Sequence, residues 1–558
     1  LRHETVTETP TLPMIEHVTP PPPCLPGPQS CRDPRWSLVV AILGSSMAFV
    51  DGTVVNTALP LIQRALGAGL DAAQWIVESY ALLLASLVLV GGALGDRLGR
   101  RRIFVTGVTV FAIASAACGL AASVTWLIVA RGAQGVGAAL LVPGSLALIT
   151  AAYPESARGA AIGTWSATTG IAAAIGPILG GWVIAHASWR WLFFFNVPAA
   201  VATLLVAKRV AESRDEQASA RIDLGGALLA TLGLGCVVWA LLEAPNVGGI
   251  GSPASLAPLV AGMGILVAFV VVEARVRQPM VPLGLFRSRA FAGASLVTAL
   301  LYAALGACLF FVPFNLIEVQ RYSAAASGAA LLPLVVFLSL LSRWAGKVAA
   351  RVGPRIPMVA GSTLTAVGFL LLAAPGVGGS YWTTFFPGLS ALGIGMGLTV
   401  TPLTATAMSA AGTGHAGVAS GISNAIARTA SLVAVAALGV LMLNRFDAAL
   451  TRELDTVGAP YAVRSFVEAQ ASSLAAAQLP ANMDDPTRAA LRGALDLAFV
   501  NGFRWLMAAC GLLAGGSTVA ALALLGGTDV GAPFTGASPA SGGRRGGMSR
   551  QGRSPRAG

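Results

Sequence analysis

Four ionisable side chains stand inside long apolar runs, where a charge is hardest to keep. Asp51 lies in the run 36–60, Glu78 in 75–95, Arg131 in 126–150 and Arg428 in 416–443. A carboxylate in the middle of a membrane-spanning helix costs roughly 2.5–3.5 kcal/mol on insertion scales unless it is paired, hydrated or protonated. An acid held there can load and release a proton or a cation, which is the chemistry Asp51 offers; its other use is to cap a stretch unwound at Gly52. Arg131 keeps its charge and shares a helical face with Gln134, Gly135 and Ala138. It can pair with a carboxylate and tune its hold on a proton, or simply lock helices together. Glu78, three residues after Trp75, either meets a cationic substrate or faces water at the outer mouth. Asn424 and Arg428 fall on one face with Gly417 and Gly421. Two such polar groups must face protein or water rather than lipid, so with Gln134 and Glu78 they are the candidates for a substrate path. Glu243, Glu273 and Glu318 sit at the ends of runs and read as interfacial or solvated.

A second set is suited to movement rather than binding. Gly176, Pro177, Gly180 and Gly181 place a Gly-x-x-x-Gly spacing beside a helix-breaking proline. The glycines allow close backbone contact and Pro177 removes one helical hydrogen bond, so the segment is either a flexing contact or plain tight packing. Between the second and third runs stand Asp96, Arg97, Arg100 and Arg101. Asp96 can accept from a helix N-terminus or a nearby arginine and hold an inner gate shut, while some of the arginines serve only orientation. Gly393, Gly395 and Gly397 lie mid-run with no preceding strand, which favours packing over a dinucleotide loop. The six cysteines lack zinc or cluster spacing, none of the four histidines clusters with acids in an apolar run, and no nucleophile motif appears. No metal, no cofactor and no enzymatic chemistry are expected.

Membrane-spanning helices are the elements that must position these residues. The chain is 55% hydrophobic and 11% charged, against roughly 25% charged in soluble proteins. Runs of the ~20 apolar residues that a span requires recur near 36–60, 75–95, 103–122, 126–150, 160–185, 189–207, 224–242, 256–273, 291–317, 324–345, 356–374, 381–410, 416–443 and 501–526. The chain therefore reads as an all-α integral membrane protein of fourteen spans. Its net charge of +12 comes in short clusters between runs, which argues against nucleic acid as a partner. An even number of spans puts both termini on one side. One set of loops holds Arg97, Arg100, Arg101, Arg102, Arg158, Lys208, Arg209, Arg275, Arg277, Arg343, Lys347, Arg351 and Arg355, and the opposite short loops little beyond Arg64, Arg190 and Arg321. Positive charge stays inside, so both termini are expected in the cytoplasm and the segment 444–500 outside. The tails 1–34, with Pro20 to Pro23, and 527–558 read as disordered. Gly92 to Arg101 aligns without gaps on Gly346 to Arg355: Arg97 falls on Arg351, Gly99 on Gly353 and Arg101 on Arg355. Such parallel repeats are a transporter signature.

The segment Gly92 to Arg102 resembles the signature loop of the major facilitator superfamily. Asp51 to Pro60, Arg131 to Gly137, Gly176 to Gly181 and Trp189 to Pro198 resemble the first-, fourth-, fifth- and sixth-helix motifs of its fourteen-helix drug:proton antiporters. This resemblance implies a six-helix bundle at 35–207, a linker with two extra transmembrane helices at 208–290, and a second bundle at 291–526 that includes an external loop, 444–500. It implies alternating access powered by a proton gradient. The cargo would be small lipophilic, often cationic, organic compounds; a dedicated exporter of one endogenous metabolite, sugar or lipid uses the same machinery. The partners expected are the substrate, protons and the bilayer of the cytoplasmic membrane, with room for a periplasmic adaptor. Ala350 replaces Asp96 in the second repeat, so a gate at that acid is not duplicated. The first and fourth helices are neighbours in this fold, and Asp51 and Arg131 differ in depth by roughly 6 Å along them, so a charge pair between them is expected.

Overall fold

The computed structural model describes residues 33–214, 223–276, 279, 281–410, 416–457 and 485–525, with positions 464, 467 and 474 between the last two stretches. The expected tail 527–558 lies outside the described residues, as does 1–34 but for Asp33 and Pro34. The elements are helical throughout. In order they are α1 (Arg35–Leu66), α2 (Leu70–Leu98), α3 (Arg100–Gly119), α4 (Val124–Ala152), α5 (Glu155–His186), α6 (Trp191–Phe194), α7 (Asn196–Ala207), α8 (Leu224–Glu243) and α9 (Pro253–Arg275). There follow α10 (Arg289–Phe314), α11 (Ala324–Ala330), α12 (Leu332–Val352), α13 (Arg355–Ala373), α14 (Tyr381–Thr384), α15 (Phe386–Ala410), α16 (Ala416–Val457) and α17 (Asp485–Leu524). Among the described residues, thirteen helical stretches are long and apolar enough to cross a membrane, and the shorter Trp191–Ala207 brings the number to the fourteen expected.

Local chemistry explains where many helices begin. Ser123, Asp223, Ser252, Ser288 and Ser323 each accept, through a side-chain oxygen, a backbone N–H of the first turn, satisfying a donor that has no helical partner. α1 ends on Gly67 in the left-handed conformation, φ 62°, which glycine adopts without penalty.

Helices α1 to α7 pack on one another, as do α10 to α17, while α8 and α9 form a pair that rests on α2 and α16 through α8. α9 presents Val260, Met263, Val267 and Val270 outward, the arrangement of a lipid-facing helix. The turns α2–α3 and α12–α13 carry Arg97, Arg100, Arg101, Arg351 and Arg355. They mark one end of the molecule, called here the arginine-rich end; the α1–α2 turn marks the far end.

One expectation is corrected. The segment 444–500 is not simply a loop: α16 continues to Val457 and α17 begins at Asp485. α16 has 42 residues, roughly 60 Å of helix against a hydrocarbon core of about 30 Å, so it projects well beyond the membrane. Its extension is polar on one side, with Arg445, Asp447, Arg452 and Glu453 among Phe446, Leu450 and Leu454. A search for unbroken apolar runs cannot see a helix of this kind.

Candidate functional site

The centre of the α1–α7 group is a buried polar cluster built around Asp51. The carboxylate is 1% exposed, as is Arg131. Arg131 Nη1 donates to Asp51 Oδ2 at 2.5 Å and to Gln134 Oε1 at 2.7 Å. Gln134 Nε2 and Asn196 Nδ2 both donate to Asp51 Oδ1, each at 2.9 Å. The same two amides reach Ser115 Oγ at 3.2 and 2.9 Å, and Ser115 in turn donates to the carbonyl of Phe193 at 2.8 Å. Arg131 Nε donates to the carbonyl of Ile76 at 3.1 Å, and its guanidinium lies 4.3 Å from the centre of the Tyr80 ring. One carboxylate and one guanidinium thus tie together α1, α2, α3, α4 and the α6–α7 helix. Removing one partner of such a buried pair strands the other charge, a loss of about 3–5 kcal/mol. Backbone contact makes this geometry reachable: a side chain at Gly135 would meet the carbonyl of Tyr80 at 2.5 Å.

The structure thus places Asp51, Arg131 and Gln134 in contact. Asn196 lies inside a segment already singled out, but nothing in the sequence marked it as a ligand of Asp51. Ser115 gave no signal at all, being one small residue in an Ala- and Ser-rich run.

Glu78 is 1% exposed and therefore does not face water at an outer mouth. Neither of its carboxylate oxygens has a hydrogen-bond partner among the described residues. Its neighbour one turn away, Gln74, donates to the carbonyl of Val435 on α16 at 2.8 Å, so this face of α2 abuts the other helix group. Glu273 is also buried, with the N–H of Val281 on Oε2 at 3.2 Å, rather than interfacial. Glu318 is not a solvated end: it is fully buried in the π turn Asn315–Val319 that closes α10. It pairs there with Arg64 of α1 and, at 3.6 Å, with Arg492 of α17. Arg321 joins the group through Asp496 at 2.6 Å. Arg64–Glu318 links the two helix groups at the far end.

The Gly-Pro segment of α5 makes a second link at that end. A side chain on Gly176 would strike Thr53 Oγ1 of α1 at 2.2 Å, and one on Gly181 would strike the carbonyl of Ala324 at the start of α11 at 2.4 Å. Gly328 of α11 lies equally close to the carbonyl of Pro177. Pro177 leaves the carbonyl of Ala173 without its helical donor, and the Thr53 hydroxyl lies 3.1 Å from that oxygen. The carbonyl of Val50 on α1 itself lies 3.0 Å from the same hydroxyl, so α1 and α5 share its single hydrogen.

At the arginine-rich end Asp96 is half-exposed, and its one side-chain partner among the described residues is Arg100 at the start of α3, whose Nε donates to it at 2.8 Å. The N-terminus of α3 is instead held by Glu212, whose two oxygens accept the backbone N–H groups of Arg101 and Arg102 at 3.0 and 3.1 Å. Glu212 was not singled out by its sequence, where it is one acid in a polar loop. Arg97 and Arg101 make no side-chain ion pair among the described residues. In the other helix group Asn424 is exposed and lines a recess, and Arg428 lies one turn further along the same face of α16.

Residues 41–435 match the family model described as Major Facilitator Superfamily. The chain is 35% identical over 426 residues to the multidrug resistance protein Stp of Mycobacterium tuberculosis (strain CDC 1551 / Oshkosh), covering 76% of this chain and 79% of that one. It is 36% identical over 422 residues to the tetracenomycin C resistance and export protein of Streptomyces glaucescens, covering 74% and 77%. Among solved structures, a bacterial homologue of the human lysosomal transporter Spinster superimposes with a TM-score of 0.61 at 18% identity, over 88% of this chain and 98% of that one. With its helical architecture and its similarity to these relatives, the chain is a multi-pass membrane transporter that belongs to the major facilitator superfamily and groups with its multidrug- and antibiotic-resistance members.

Proposed function

We propose that the protein exports small lipophilic organic compounds across the cytoplasmic membrane in exchange for protons, by alternating access, with both termini and the arginine-rich end in the cytoplasm. The observation that carries this reading is the Asp51 cluster. It is a carboxylate in the middle of the membrane, ion-paired to a residue that never loses its charge, in a cluster that joins five helical segments. A proton on Asp51 cancels the pair with Arg131 and loosens α1 from α4. α1 also carries Thr53 and Arg64, which touch the α5–α11 contact and the Glu318 group. Protonation at the centre is therefore linked through one rigid helix to the closure of the far end. A relative named a tetracenomycin C resistance and export protein supports the direction of transport.

The reading is tested in cells lacking their own exporters, challenged with a panel of toxic compounds with and without the protein. Resistance to chemically unrelated compounds, abolished by a protonophore, is expected; resistance that survives collapse of the proton gradient contradicts proton coupling. A second reading, export of one endogenous product, is favoured by the relative named for tetracenomycin C, and in the same panel it gives resistance to a single scaffold.

A further inference from the structure

Next to the Asp51 cluster, α10, α15 and α16 enclose a recess lined by Thr298, Tyr302, Thr404, Ser423 and Asn424. All five lie in the parts of their helices nearer the arginine-rich end, on the opposite side of the membrane from the Arg64–Glu318 closure. The lining offers hydroxyls and a carboxamide, and it contains no carboxylate among the described residues. Arg428 borders this recess without being part of its lining. It follows Asn424 by four residues, so it stands directly above it on the same helix face, and Tyr302 of the recess wall and Tyr80 of α2 lie within its electrostatic reach. Arg428 makes no ion pair or hydrogen bond among the described residues. The two acids closest in depth do not serve it. Asp51 is committed to Arg131, Gln134 and Asn196, and Glu78 is not among the groups acting on Arg428 and is not part of the lining.

A guanidinium at membrane depth without a counter-charge is unfavourable, and a bound anion relieves it. Its planar fork fits a carboxylate or a phenolate, and the surrounding hydroxyls can orient the rest of a polar head group. We propose that this recess is the loading site, and that Arg428 selects solutes bearing a carboxylate or an acidic phenol over cationic ones. This rests on the efflux reading above and reverses the sign of the cargo expected from sequence. Tyr80, whose ring stacks on Arg131, is also within electrostatic reach of Arg428, so one tyrosine connects the proposed anion site to the proton-coupling pair.

The test uses two dyes with the same xanthene core, anionic fluorescein and cationic rhodamine 123, binding at equilibrium to the full-length protein in lipid nanodiscs. Fluorescein is expected to bind tighter than rhodamine 123 by about tenfold or more. Arg428→Gln should lose about that factor for fluorescein and bind rhodamine 123 more tightly than the unaltered protein does, and Arg428→Lys should retain part of the fluorescein preference. Equal or tighter binding of rhodamine 123 to the unaltered protein, no binding of fluorescein, or full fluorescein binding by Arg428→Gln overturns the proposal. The comparison of dyes on the unaltered protein stands even if a variant fails to fold. No proton gradient is needed, so failure of uphill transport in vesicles would count against the efflux reading and leave the charge preference standing or falling by itself.

Discussion

At the scale of single residues, the Asp51 cluster divides roles that its sequence could only group together. Asp51 accepts from three side chains, whereas Arg131 also holds the carbonyl of Ile76 and a tyrosine face. Arg131→Ala therefore strands Asp51 and unties α2 as well, and a loss of about 3–5 kcal/mol is expected in a thermal or denaturant melt of the purified protein. Arg131→Lys keeps the charge but not the planar fork, and should retain more transport than Arg131→Ala; equal loss in the two would show that charge alone is not what matters. Asn196→Ala removes one hydrogen bond to a charged group, about 1.5–3 kcal/mol, and should impair transport without abolishing it. Asp51, Arg131 and Gln134 were legible because an ionisable or amide group in an apolar run has few uses. Ser115 was not, because a serine in such a run usually bonds back to its own helix; only the packing of α3 against α7 turns it toward the cluster.

At the scale of elements, the proposed cycle can be tested at two contacts, α5 with α1 and α11, and Glu212 with α3. The α5 segment is pinned on one side by Thr53 and on the other by the backbone of α11. Gly181→Val places methyl groups where the carbonyl of Ala324 now sits, and α11 must retreat because a backbone atom cannot swing aside. The expected outcome is a protein that reaches the membrane at normal levels but shows little efflux, with disulfide cross-linking across α5 and α11 lost; unchanged efflux would mean that this contact is not part of the cycle. At the α2–α3 turn, Glu212 satisfies two N–H groups of α3 while Asp96 makes a half-exposed pair with Arg100. Glu212→Gln should therefore impair export more than Asp96→Asn, read as initial efflux rates at matched expression. The spans themselves followed from their apolar length. The extensions of α16 and α17 did not, because beyond the bilayer a helix needs only one apolar face, and its acids and arginines hide it from a search for membrane segments.

At the scale of the whole molecule, the far end is closed by an ion group that joins both helix groups through Arg64 and Glu318. Behind this closure lie polar side chains with no hydrogen-bond partner among the described residues, notably both oxygens of Glu78 and both polar atoms of Gln63. Buried polar groups without partners are costly, so these are the groups that gain most from the entry of water when the far end opens. Arg64→Ala should shift the protein toward that open state, and a cysteine at Gln63 should then react faster with a membrane-impermeant thiol reagent added outside. No change in its rate would place the outer closure elsewhere. Orientation belongs to this scale too: reporters fused after Ser472 and after Thr528 should read external and cytoplasmic, and the same reading from both would contradict the arrangement of spans.

The central claim is that a proton on Asp51 drives the cycle, and proteoliposomes test it directly. The protein is reconstituted with a pH indicator, and a compound to which it confers resistance is added, so that proton release on binding is read against the amount of compound bound. Asp51→Asn removes the titrating oxygen while keeping most of the side chain's shape. The account predicts that this variant still binds the compound but releases no proton and cannot drive uphill export. Full, substrate-induced proton release from Asp51→Asn would contradict it and move the coupling to another carboxylate, Glu78 being the next to test.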